Sequence, residues 1–134
     1  MNSKCIYATL AAFAVLFIAD YLWFGIIFHD YYMSAMQPTE GDNILLHAIG
    51  ELCFAGLLAW IFPMGYKGGS AVSEGTKFGL MMGLVYQLPG QIHIYGSMGG
   101  SRRLVVFFIA NGIVMGILAG ITIAMIYGKK TAAA

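Results

Sequence analysis

His47 and Glu51, at either end of "HAIGE", stand one helical turn apart on a shared face, inside a run that is otherwise apolar. Asp20 interrupts "FIADYLWF" in the same way, Asn111 interrupts "FIANGIV", and Gln87 and Gln91 are again one turn apart in "YQLPGQIH", with His93 two residues on. These residue types support three kinds of chemistry. Two carboxylates close together in a low dielectric cannot both ionise cheaply, so Asp20 and Glu51 could share a proton, or either could hydrogen-bond His47. With Gln87, Gln91 and Asn111 they would form a proton or ligand site. Carboxylates and imidazoles from different helices also build metal centres in bundles, and His47, Glu51 and His93 are the candidate ligands. Finally, buried amides and a His–Glu pair can serve only to hold helices together.

The residues around them set the solvent. Of 134 residues, 60% are hydrophobic and 10% charged, where soluble domains carry about 25% charged residues. A soluble chain of this length could not hide so much apolar surface, so the expected surroundings are a lipid bilayer. A formal net charge of +1 with no basic stripe excludes nucleic acid as a partner. Cys5 and Cys53 have no CxxC spacing and are expected at different depths, as free thiols. The first apolar run is read as an uncleaved span, because only "FHDYYM" and no small-residue cleavage site follows it.

Apolar runs of about 20 residues cross a hydrocarbon core ~30 Å thick. Four are expected, at 6–28, 44–62, 77–97 and 104–127, forming one all-α transmembrane four-helix domain over 1–134. The connection "HDYYMSAMQPTEGDN" reads as a loop with Pro38 and Gly41, "PMGYKGGSAVSEGT" as a second loop opened by Pro63, and "MGGSRR" as a tight turn. Lys4, Lys67, Lys77, Lys129 and Lys130 fall on one side, which places both termini in the cytoplasm. Arg102 and Arg103 fall on the other, against headgroup phosphates or facing an anion. Tyr31, Tyr32, Trp60, Tyr66 and Tyr127 sit where interfacial aromatic belts are expected.

At ~1.5 Å of rise per residue, Asp20, Glu51, Asn111 and Gln91 lie ~9–12 Å below the outer surface; Gln87 reaches ~15 Å and the histidines ~5–6 Å. Every span thus contributes to a polar layer in the outer half. Ionisable groups at such depth cost ~2.5–3.5 kcal/mol each and normally face the interior. Gly75, Gly79 and Gly83, and Gly112, Gly116 and Gly120, recur every fourth residue, stripping one face of two helices for close approach to a partner within the chain or in a second copy.

"IADYLWFGIIFHDYY", "KFGLMMGLVY" and "NGIVMGILAG" resemble segments of small bacterial four-span membrane proteins grouped as domains of unknown function. That resemblance implies a four-helix protein of the bacterial inner membrane and carries no activity. The expected role is therefore proton-coupled small-solute transport or ligand binding, in a homo-oligomer. The alternatives are an accessory subunit of a larger membrane complex, or a metal- or haem-binding protein; no cofactor is otherwise implied. No G-x-S-x-G or placed Ser/Cys–His pair indicates an enzyme.

Overall fold

A computed structural model describes residues 2–36 and 43–128, which contain helices and no strand. Helix α1 (Ser3–Leu22) continues into a π-helical turn, Trp23–Ile27; then come α2 (His29–Met36), α3 (Ile44–Gly65), α4 (Ala71–Met98) and α5 (Arg102–Gly128). Three segments are long and apolar enough to cross a membrane: Ser3–Ile27, Ile44–Gly65 and Arg102–Gly128. Helix α4 falls short on composition, because Glu74, Lys77, Gln87, Gln91 and His93 dilute its apolar residues. The expected loop residues Pro38 and Gly41, and Lys129 and Lys130, lie outside the described residues.

Local chemistry starts and stops these helices. The Asn2 side chain caps α1 by accepting from Lys4 N, and the Asn43 side chain accepts from Leu45 N at 3.0 Å and Leu46 N at 3.3 Å at the head of α3. Between α4 and α5, Gly99 and Gly100 take φ of 70° and 129°, which side-chain-bearing residues avoid. That is how so short a turn reverses the chain.

The four long helices form an up-down-up-down bundle. Asp20 meets His47 and Thr9 lies beside Gly56, so α1 and α3 run antiparallel. Asp20 and Trp23 meet Asn111 and Phe107, which sets α5 antiparallel to α1. Phe54 stacks on Tyr86 at 4.5 Å and Phe62 meets Phe78 at 5.1 Å, bridging α3 and α4. The closest approach is between α4 and α5, where the glycine stripes face one another: Gly75 against Gly120, Gly79 against Gly116 and Gly83 against Gly112. A methyl group at Gly75 would sit 2.5 Å from the Ile121 Cα and 2.7 Å from the Gly120 oxygen. The partner of each glycine face is thus the other helix of the same chain.

The bundle is tight at the end where α1 begins and α5 finishes. There Ala8, Ala12, Ala55, Ala59, Ala119 and Ala124 are fully buried around Leu58 and Ile123, small side chains again permitting near contact. Pro63 does not end α3 as the sequence suggests; the helix runs on to Gly65. Proline has no N–H to donate to the carbonyl four residues back, and the Ala59 carbonyl freed in this way accepts the Tyr127 hydroxyl at 2.9 Å. We expect Tyr127→Phe to lower stability by about 1 kcal/mol or more, as an orphaned buried acceptor does. In a Pro63→Ala background, where the backbone supplies the donor, chemical denaturation should show most of that cost gone.

The far end is built from aromatics. The π-turn is closed by Phe28 N donating to Trp23 O at 2.9 Å, five residues back, and it re-aims the rings that follow. What reads as the start of a loop is instead helix α2, an eight-residue helix docked onto the bundle. Phe107 is the hub: Trp23, Phe24, Phe28, Tyr31 and Phe108 all place ring centroids 5.1–5.8 Å from its own.

Candidate functional site

On α1 the buried positions run Cys5, Ala8, Ala12, Leu16, Asp20, a spacing of three and four residues that keeps one face inward. Asp20 is therefore the last residue of the core stripe and is buried at 7% exposure. Its Oδ1 accepts a hydrogen bond from Asn111 Nδ2 at 3.1 Å. Asn111 is itself buried on α5, one residue before Gly112 of the seam. Asp20 Oδ2 is left facing His47 Nε2 at 3.8 Å.

Glu51 follows one turn below His47 on α3, as the four-residue spacing dictates. One ligand atom from each of Asp20, His47 and Glu51 lies within 4.8 Å of the other two. Glu51 Oε2 is buried and has no hydrogen-bond partner among the described residues. The imidazole of His47 is about half exposed and rests against Phe17 at 6.2 Å between centroids. This group is consequently deep on the Asp20 side and reachable on the His47 side.

The three residues open into a cavity of about 630 Å³ at the far end of the bundle. Gln87 and Asn111 also line it, Leu16 and Met115 close it below, and His29, Tyr32 and Met33 of α2 border it above. Tyr21, Phe24, Phe54, Tyr86 and Phe108 supply aromatic wall. Neither lysine nor arginine lines it among the described residues, and neither does either cysteine. Cys5 is a buried free thiol and Cys53 an exposed one.

No family model, curated protein or solved structure matches this chain. The site must be read from its own atoms.

Of the residues singled out in the sequence, Asp20, His47, Glu51, Gln87 and Asn111 come together on the cavity. Gln91 does not line it, but its Nε2 donates to Gln87 Oε1 at 3.2 Å and so orients that amide. His93 is exposed and stands apart, so the third member beside His47 and Glu51 is Asp20. Arg102 and Arg103 are exposed at the head of α5; Arg102 Nε donates to the Tyr95 hydroxyl at 3.3 Å, and neither arginine reaches the cavity.

Sequence alone does not single out the aromatic wall, because in an apolar run nothing distinguishes a lining ring from a lipid-facing one. Asp20 does carry a usable signal, in its place on the inward stripe.

Continuing the α4 glycine stripe by four residues leads from Gly75, Gly79 and Gly83 to Gln87 and then Gln91. The face that is bare where α4 touches α5 becomes an amide face where the cavity begins. Gln87 packs over Gly112, the last glycine of the seam. Seam and cavity are successive stretches of one helix face.

Proposed function

We propose that this protein is a four-span membrane protein that binds a small positively charged solute in the far-end cavity. The observation that carries this reading is the facing pair of carboxylates, Asp20 and Glu51, in a cavity with no lysine or arginine on its walls among the described residues. Two facing carboxylates in a low dielectric cannot both ionise cheaply, and a cation entering between them offsets that cost. Aromatic rings on the remaining walls suit a cation as well, because their faces are electron-rich.

Helix α4 is the fourth span in this reading. Its 28 residues reach ~42 Å at 1.5 Å each, more than the ~30 Å core requires, and it lies antiparallel against α5 along the glycine seam. Lys4, Lys67 and Lys77 then fall at the end where α1 begins and α5 finishes, which supports a cytoplasmic position for that end and an outward-facing cavity. The sequence resemblance supports placing it in a bacterial inner membrane. Binding is favoured over passage, since the buried alanine core and the glycine seam fill the bundle below the cavity. The accessory-subunit alternative draws less support, as the glycine faces that would dock a partner are spent within the chain.

Thermal unfolding of the purified protein tests the assignment. A panel of tetramethylammonium, zinc and manganese salts is compared with acetate and urea-sized neutral solutes. A ligand at a hundred times its Kd should stabilise by about 2.7 kcal/mol. We expect a cation to do so, Asp20→Asn and Glu51→Gln to abolish the gain, and Arg102→Gln to leave it unchanged. Equal stabilisation by an anion, or carboxylate variants that respond like the wild type, would sink the reading.

A further inference from the structure

We propose that Asp20, His47 and Glu51 form a binding site for a divalent first-row transition-metal ion, an inference that rests on the cation-binding reading above and specifies its ligand. The donor set is one imidazole nitrogen and two carboxylate oxygens, drawn from two helices. His47 and Glu51 come from adjacent turns of α3, a spacing that lets two side chains of one helix bind one ion. Asp20 reaches them from α1.

Their ligand atoms, within 4.8 Å of one another, are slightly looser than the ~3–3.5 Å that bonds of ~2.0–2.2 Å to a shared ion impose.

Charge argues for a divalent ion. As ligands, two carboxylates and an imidazole would carry −2, which one such ion neutralises, and no lysine or arginine lies among the described residues of the cavity wall. The nitrogen donor favours zinc over magnesium and calcium, which take oxygen ligands, while the two carboxylates also suit manganese.

The surroundings have the form of a supporting shell. Asn111 Nδ2 holds Asp20 Oδ1 at 3.1 Å and thereby turns the other oxygen toward His47. Glu51 Oε2 is buried and without a hydrogen-bond partner among the described residues, an acceptor for which a metal would be the missing partner. The half-exposed imidazole gives the ion a route in. Three protein ligands leave coordination positions open toward the 630 Å³ cavity, where water or a small anionic solute fits.

The test is isothermal titration of the full-length protein in detergent, first stripped with a chelator, with zinc chloride and then manganese chloride. One equivalent should bind. Asp20→Asn, His47→Gln and Glu51→Gln should each weaken binding at least tenfold, Asn111→Leu should weaken it about 10–100-fold as loss of an orienting partner does, and His93→Ala should change nothing. Trp23 fluorescence melts accompany each variant to establish that it is folded. His47, being exposed, supplies a variant whose folding is not at risk.

Saturable zinc binding that survives both His47→Gln and Glu51→Gln overturns the site. So does the absence of binding to the folded wild type. If, in that last case, tetramethylammonium still stabilises the protein through Asp20 and Glu51, the metal is wrong and the cation cavity stands. If it does not, both fall.

Discussion

Replacing Gly79 by alanine should disrupt the junction of α4 and α5, at a cost near the upper end of the ~1–3 kcal/mol typical of overpacking, and Gly79→Leu should prevent folding altogether. The added Cβ would be driven into the carbonyl group of Gly116, a backbone atom with no rotamer to escape into. Helices in lipid gain no hydrophobic drive for association and depend on close contact, so the separation cannot be recovered elsewhere. Gly116→Ala should behave similarly, because its methyl meets the Gly83 Cα at 2.9 Å. Gly96 lies in the same helix as Gly79, and a methyl group there would have nothing within 4 Å; Gly96→Ala should be neutral, or stabilising by up to about 1 kcal/mol from backbone entropy. Denaturation in mixed micelles, followed by circular dichroism, compares all four. Equal stability of Gly79→Ala and Gly96→Ala would mean that the two helices do not meet along these glycines.

Phe107→Ala is expected to cost about 3–5 kcal/mol, the range for emptying a large aromatic from a core. The ring is buried, and five others surround it, from the π-turn, α2 and α5 itself. Its loss would release α2, whose Tyr31 docks on it. Trp23 reports the event directly, since it lies 5.7 Å from Phe107 and 4.6 Å from Phe28. In a Trp60→Phe background, which removes the exposed second tryptophan, emission should shift to the red and α2 should become protease-sensitive. An unchanged spectrum with an unchanged melting curve would refute the hub assignment.

How much of this is legible in the sequence depends on which physical quantity a residue pattern encodes. Length and hydropathy encode crossing capacity, and three of the four expected spans have it in the structure. Rise per residue encodes depth, and of the four groups assigned to ~9–12 Å, Asp20, Glu51 and Asn111 line one cavity, whereas Gln91 does not and the deeper Gln87 does. Depth carries no azimuth, however. His93 shares a level with His47 but faces away, whereas Asp20 points inward because of four residues before it on the same stripe. The glycine spacing implies a close approach without naming its partner; that requires knowing that α4 and α5 are joined by a turn too short for anything but antiparallel neighbours. Pro63 misleads because a proline ends a helix only when nothing satisfies the carbonyl it frees, and Tyr127, far along the chain on α5, does so. The π-turn at Trp23 has no sequence signature apart from the aromatic cluster it serves.

The continuous face of α4, bare along Gly75, Gly79 and Gly83 and amide-bearing at Gln87 and Gln91, has a mechanical consequence. It makes α4 and α5 a closed frame, clamped by backbone contact along the glycines at one end and tied by the Gly99–Gly100 turn at the other. Such a frame leaves no slack for sliding or splaying, so the two helices hold their wall of the cavity at a fixed width.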